Sequence, residues 1–258
     1  MSLSEFFTQS EQADVSLAVA GGDVPEQLHE LLTQIFDRQS VEVKQSVTVP
    51  EPGSASTERV YLLNDGEVIA ESPLKEVADS ILLVNSDLYT TGARSVQEVD
   101  LPDVITALDE THFRLRGYPE SNKEKLLLIT ISRYIERTAL EHGTGKHRAS
   151  FQQLSRIDDE RGTREVYERL GDSDVDVQVY GVPDWTPPPE YELTIHGGWG
   201  QEFRDSWFVV FVPDTPSAPQ TALLAIEDEP NIWDAFWTYD PDTVQEINRY
   251  IDAHPDTL

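Results

Sequence analysis

From Val175 the chain turns to strands, beginning with a regular alternation. Val175, Val177 and Val179 share one parity while Asp176, Gln178 and Tyr180 take the other, and Gly181 closes the run. That period of two is the pattern of a strand with one buried and one solvated face. Residues 193–196, 207–212, 222–226 and 236–239 read as four further strands. Pro183 and Pro187-Pro188-Pro189 form a stiff connection of polyproline character. Asp240-Pro241 then supplies an N-cap and a first-turn proline for a closing helix carrying Val244, Ile247 and Ile251 on one side.

Upstream the period changes. Residues 15–20 form a short strand running into Gly21-Gly22, and Pro25 opens a helix with Leu28, Leu31, Leu32, Ile35 and Phe36 at helical spacing. Val41, Val43, Val47 and Val49 share a parity, so a half-buried strand is expected there, with a loop over 50–57. Residues 60–63 and 68–70 flank Asn64-Asp65-Gly66, a hairpin signal because Asp-Gly supplies the positive φ angles of a tight turn. Ser72-Pro73 opens a helix with Leu74, Val77, Ala78, Ile81 and Leu82. Residues 122–142 are apolar on more than one face, through Leu127, Leu128, Ile131, Tyr134, Ile135 and Ala139, and predict a central helix covered by other elements. Gly143-Thr144-Gly145 ends it; a second helical stretch with Phe151 and Leu154 and a third with Val166, Tyr167 and Leu170 are expected to follow. The predicted class is a mixed α/β (α+β) fold with largely antiparallel sheets, packed helices and a helical middle. The expected division is an N-terminal α/β region over 1–118 and a second region over 119–258.

Charge constrains the setting. The formal net charge is −29 on 258 residues, and the acids are spread along the chain rather than gathered in a tail. Self-repulsion of that size destabilises a compact state at low ionic strength and is screened at high ionic strength. Lysine is scarce among the 19 basic residues (Lys44, Lys75, Lys123, Lys125, Lys146), so the composition predicts adaptation to a salty cytoplasm. The absence of cysteine excludes disulfides, zinc-thiolate sites and thiol chemistry. The opening MSLSEFFTQSEQAD has neither a basic nor an apolar signal region, and no stretch reaches transmembrane length, so a cytoplasmic protein without membrane contact is expected.

Several fragments approach catalytic or metal motifs and miss on spacing. Gly143-Thr144-Gly145-Lys146 lacks the upstream glycine and the following Ser or Thr of a phosphate-binding loop, since Leu140 and His147 stand there, and it reads as a helix C-cap. Residues 172–176 open like a calcium loop, but Val177 and Pro183 occupy the required Gly and Glu positions. His196-Gly197-Gly198 resembles an oxyanion loop without any nucleophile elbow. A hydrolase using His196 with Asp184 or Asp205 would lack an activated nucleophile. His29-Glu30 has no second histidine, and His142 with His147 and Glu141 offers too few ligands for a metal. No enzyme, cofactor or metal is expected.

Two features carry more. All five tryptophans (Trp185, Trp199, Trp207, Trp233, Trp237) lie between 185 and 237. They build either a tryptophan-rich core or, where they sit in connections, the wall of a pocket. Residues 123–169 hold ten basic and eight acidic residues, whereas the rest of the chain holds nine and forty. Such a locally neutral, arginine-rich stretch fits a surface that meets an acidic partner, a second copy or an anionic ligand, or else internal pairing. Nucleic acid is not an expected partner, because the overall field repels phosphate.

The stretches 135–155 (IERTALEHGTGKHRASFQQLS), 175–185 (VDVQVYGVPDW), 207–211 (WFVVF), 222–229 (ALLAIEDE) and 236–247 (FWTYDPDTVQEI) resemble the DICT family, in particular its stand-alone haloarchaeal members. The family is a sensory domain of diguanylate cyclases and two-component systems, so the resemblance implies signal input, with a hint of light-linked signalling, and no catalysis. It makes 119–258 the sensory domain. Characteristic positions carried over are Glu136, Gly143, Gly145, Phe151, Gln152, Tyr180, Gly181, Pro183, Asp184, Trp185, Trp207, Phe208, Trp237, Tyr239 and Asp240. The expected function is non-enzymatic sensing of an unidentified small molecule or stimulus, passed to a separate output protein because no output region is appended. The expected ligand-binding residues are Tyr180, Asp184, Trp185, Trp207, Trp237 and Tyr239. A partner surface is expected at Arg133, Arg137, Arg148 and Arg156, with a homodimer left open. The competing reading is a structural adaptor whose aromatic cluster is core alone.

Overall fold

The computed structural model describes residues 2–8, 15–21, 24–36, 39–44, 58–117, 121, 123–188, 191–215 and 217–255. The chain begins with a 3-10 turn (Leu3–Thr8), then β1 (Val15–Ala20), α1 (Glu26–Phe36), β2 (Val41–Lys44), β3 (Arg59–Asn64) and β4 (Glu67–Pro73). Next come α2 (Leu74–Val77) running into a π-helical turn (Ala78–Leu82), α3 (Asp87–Thr90), a 3-10 turn (Val96–Glu98), α4 (Asp103–Thr106) and β5 (Phe113–Arg116). The remainder is α5 (Glu124–His142), β6 (Thr144–Gln153), α6 (Arg156–Asp159), α7 (Arg161–Gly171), β7 (Asp174–Val182), β8 (Thr194–Gly197), α8 (Gln201–Asp205), β9 (Ser206–Val212), β10 (Thr221–Glu229), β11 (Ile232–Thr238) and α9 (Pro241–Ala253). The mixed α/β class is as the sequence predicts. The expected strand positions Val47 and Val49, the loop over 50–57, Gly22, Asn122 and Pro189 lie outside the described residues.

Two sheets form, in the orders β2-β1-β3-β4 and β5-β11-β10-β9-β6-β7-β8. Most pairings are antiparallel; β1–β2, β6–β7 and β7–β8 are parallel. The β3–β4 hairpin turns at Asp65 (φ 51°) and Gly66 (φ 83°), the left-handed pair that Asp-Gly supplies cheaply. β5, which falls in the expected N-terminal region, pairs with β11 as the edge of the seven-stranded sheet.

Side-chain parity on β9–β11 builds two layers. Val209, Phe211, Leu223, Ala225, Trp233, Ala235 and Trp237 join the main core with α5, whereas Phe208, Val210, Ala222, Leu224 and Phe236 face the opposite side. There α9 covers them with Val244, Ile247 and Ile251, joined by Leu3 and Phe6 from the N-terminal turn. Each fully buried aliphatic side chain of this kind contributes roughly 1.5–3 kcal/mol before the entropy of ordering is subtracted. Asp240 caps α9, its Oδ2 accepting from the Thr243 amide at 2.8 Å. α5 is buried on several faces, as expected, and its Leu127, Leu128 and Ile131 belong to the same core as Leu17, Ile35 and Leu82. It stops at Gly143 with φ 77°, a left-handed C-cap.

One expected element is wrong. The stretch with Phe151 and Leu154 is not helical: residues 144–153 form β6, which runs parallel to β7 and antiparallel to β9. Its interior positions include buried His147, Arg148, Ser150 and Gln152, so polar side chains occupy places where apolar ones would have advertised a strand.

Candidate ligand cleft

β6 ends in a bulge. Its pairing with β7 slips between Ser150 and Gln153, and Gln152 sits at φ 57°, a left-handed conformation uncommon for a residue with a side chain. The Gln152 amide is tied down, donating to the Arg204 carbonyl at 2.7 Å and to Glu227 Oε2 at 3.2 Å. Beside this bulge a cleft of about 140 Å³ opens between α5, β6, β9, α7 and α3. Its walls include Tyr89, Ile129, Ala149, Phe151, Tyr167, Trp207 and Val209, with Lys125, Arg133, Glu136, Arg156 and Glu160 as the charged groups. α7 approaches α3 so closely that a Cβ on Gly162 would fall 1.7 Å from the Tyr89 carbonyl oxygen, so only glycine permits the wall that carries Tyr89 and Thr90.

The inner wall is a buried polar network. Arg133, only 7% exposed, donates to Glu136 Oε2 at 2.7 Å and to Thr163 Oγ1 at 2.6 Å, and Thr163 donates in turn to Glu160 Oε2 at 2.9 Å. The Tyr167 hydroxyl donates to Glu136 Oε1 at 3.1 Å and lies 3.3 Å from His147 Nε2. Burial pushes the Glu136 carboxyl above the usual carboxylate range against the pull of Arg133, and pushes the Tyr167 hydroxyl well up. Burial pushes the His147 imidazole down to about 3, so it is neutral at pH 7. Arg133, Glu136, Thr163 and Tyr167 tie α5 to α7 and hold the cleft wall in one arrangement, while His147 Nδ1 is buried with no partner among the described residues.

The outer wall is aromatic and cationic. Trp207 Nε1 donates to Ser132 Oγ at 3.1 Å, and Trp207 meets Trp233 edge to face at 5.9 Å. Lys125 Nζ lies 5.5 Å from the Trp207 ring centre and 5.0 Å from that of Trp233. Burial, and then the Arg156 charge, hold the Lys125 ammonium below the usual lysine value. Phe151 packs edge to face on Tyr167 at 4.9 Å.

The six residues expected to bind ligand are not brought together, and only Trp207 lines the cleft. Trp237 is 1% exposed and stacked on Phe113 at 4.9 Å, which makes it core. Tyr180 faces the α9 side of the sheet, stacked on His196 at 4.5 Å. Asp184 is exposed and accepts from the Ser155 amide and hydroxyl at 2.9 and 2.8 Å. Trp185 packs on Tyr191 at 6.0 Å, and Tyr239 is half-buried against the main core. The four arginines do not share a surface either. Arg133 is enclosed in the network, and Arg148 is fully buried, bound to Gln178, Asn248 and Asp252, where it fastens α9 to β6. Arg137 pairs with Glu141 at 2.7 Å, and Arg156 lines the cleft. Much of the basic island is thus paired internally, also through Arg161–Glu165 and Arg164–Asp158. Composition did not single out Lys125, Ser132 or Tyr167; the resemblance did mark Glu136, Phe151 and Gln152, which line the cleft together with Trp207.

Among the described residues no group of three or more His, Asp or Glu could hold a metal ion, and no helix is long and apolar enough to cross a membrane. No curated protein matches the chain. Among solved structures, a polyphosphate kinase from Porphyromonas gingivalis matches at 12% identity with a TM-score of 0.39, over 92% of this chain and 35% of that one. The chain thus spans about a third of that enzyme's length, and a likeness this loose carries no argument about activity. Residues 103–228 match the family described as DICT, the sensory domain in diguanylate cyclases and two-component systems. All of the cleft except Tyr89 and Thr90 falls within that span. The sequence resemblance and the family match agree on a DICT sensory domain within this chain, matched over residues 103–228, which supports a sensory role in signalling.

Proposed function

We propose that the protein senses a small molecule in the cleft beside the β6 bulge and passes its occupancy to a separate output protein. The observation that carries this reading is the coincidence of a preorganised cleft with the matched sensory segment. The cleft lies near the carboxyl end of β6, where the chain leaves a parallel strand pair through α6 and α7, a usual place for ligands in α/β sheets. Trp207 is the ligand contact retained from the expected set. Arg137 is the arginine left for a partner surface, since Arg133 and Arg148 are enclosed. A cytoplasm rich in salt remains the proposed setting, on the strength of the charge of −29.

Thermal melts and tryptophan fluorescence against fractionated cell extract, from about 0.1 M to about 2 M KCl, test the reading. The melting temperature is expected to rise with salt, and at least one fraction is expected to raise it further and shift the fluorescence. Trp207→Phe should remove most of the fluorescence change while leaving the fold intact. Silence from every fraction would remove the small-molecule reading, and a melting temperature flat in salt would remove the proposed setting.

A further inference from the structure

In a chain with 48 acidic and 19 basic residues, a cation without a carboxylate is unexpected. Most described basic side chains do have an acidic or carbonyl partner. Lys125 and Arg156 have neither hydrogen bond nor ion pair among the described residues; Arg169 and Arg204 share that state but are exposed, whereas Lys125 and Arg156 are half-buried and line one cleft. The two are close enough for the Arg156 charge to act on Lys125. Glu227 and Glu160 act on Lys125 through space without pairing with it; their oxygens accept instead from Gln152 and the Asn231 amide, and from Thr163. Lys125 and Arg156 repel one another and neither meets a carboxylate within ion-pair distance among the described residues, so the arrangement fits a site completed by the direct contact of an incoming anion.

The rest of the cleft limits the anion's shape. Phe151, Trp207, Tyr89 and Ile129 offer flat apolar surface, which favours a ring. The volume of about 140 Å³ is close to the size of cavity, roughly 150 Å³, that encloses one benzene-sized ring. The charges of Arg133 and Glu136 are matched to one another and are not available to a ligand.

Resting on the cleft being the sensory site, we infer that its ligand is a single-ring aromatic anion, its carboxylate or phosphate held by Lys125 and Arg156 and its ring seated against Trp207 and Phe151. Arg156 supplies a planar fork for two oxygens, and Lys125 a point charge already poised over the indoles. Lys125 then serves binding at the expense of the empty fold, because its charge is disfavoured there.

Titration in molar KCl with benzoate, 4-hydroxybenzoate and phenyl phosphate, each against benzamide as the neutral isostere and inorganic phosphate as the ringless anion, separates the contributions. At least one aromatic anion is expected to bind about tenfold or more tightly than benzamide and than inorganic phosphate; a preference between carboxylate and phosphate identifies the source. Arg156→Gln and Lys125→Met should each weaken the anion about tenfold and leave benzamide unchanged. Lys125→Met, which keeps the apolar stem, should melt no lower than the parent. Equal binding of benzamide, unchanged anion binding in both variants, or no aromatic anion binding at all would overturn the inference. If an extract fraction still occupies the cleft while every aromatic anion is silent, the inference alone falls; if both are silent, the sensory cleft falls with it.

Discussion

Arg133→Met is expected to lower the unfolding free energy by about 3–5 kcal/mol, because it leaves Glu136 as a buried carboxylate without its cation. Glu136 is 3% exposed and then keeps only the Tyr167 hydroxyl, 3.1 Å away. The pairing partner also fixes Thr163, so the start of α7 should loosen with it. The double variant Arg133→Met/Glu136→Leu removes both charges at similar volume and should recover most of the loss, since a buried ion pair replaced whole is often close to neutral. Urea melts in molar KCl at pH 7 measure both. A loss below about 1 kcal/mol in the single variant, within the range of a surface pair, would mean that the network is not the cleft's inner wall.

The second large effect is on pH dependence. His147 is fully buried between strands, with Tyr167 as its polar neighbour, and burial holds its imidazole at about 3. The unfolded chain takes up this proton near the ordinary histidine value of about 6.5, and the folded chain does not. More protons bound by the unfolded state means stability falls as pH falls, beginning below about 6.5 and continuing towards 3, at up to about 1.4 kcal/mol per pH unit. The Glu136 carboxyl, raised by burial, acts in the opposite direction above the ordinary carboxylate range, so the parent profile mixes the two. The difference between parent and His147→Gln isolates the histidine: its slope should approach one proton between pH 6 and pH 4, as conditions of the urea melts. Parallel profiles would place His147 in contact with water.

Local signals were legible wherever a single side chain decides a backbone conformation. Asp65-Gly66 gave the hairpin turn, Gly143 the helix stop and Asp240 the cap of α9, each through one φ angle or one hydrogen bond. β7 was legible through its alternation, and β9 and β10 through short continuous apolar runs, because β9–β11 are buried on both faces. β6 was not, because its burial is provided for by pairing partners distant in sequence: Arg148 meets Asn248 and Asp252, and Ser150 donates to the Ser206 carbonyl at 3.1 Å. Without those partners, TGKHRASFQQ reads as a polar surface segment.

The site failed to emerge from composition for a related reason. Trp207 and Trp237 share the α5-facing parity, but strand order places Trp237 on β11, against Phe113 of β5, and Trp207 on β9 beside β6. Strand order depends on long-range pairing that no local pattern encodes. Lys125 was hidden because what distinguishes it is the lack of a direct carboxylate contact among the described residues, whereas Glu124 stands next to it in sequence and pairs with Arg116.

The most direct measurement is to close the cleft. Thr90 is exposed at its rim, so Thr90→Trp should fold as the parent does while its indole fills the opening. Titrated with the extract fraction that shifts the parent's melting temperature, Thr90→Trp is predicted to show no shift, and Thr91→Trp, one residue along and not lining the cleft, to retain it. Equal responses from all three proteins would contradict the account and move the sensory site elsewhere in the domain.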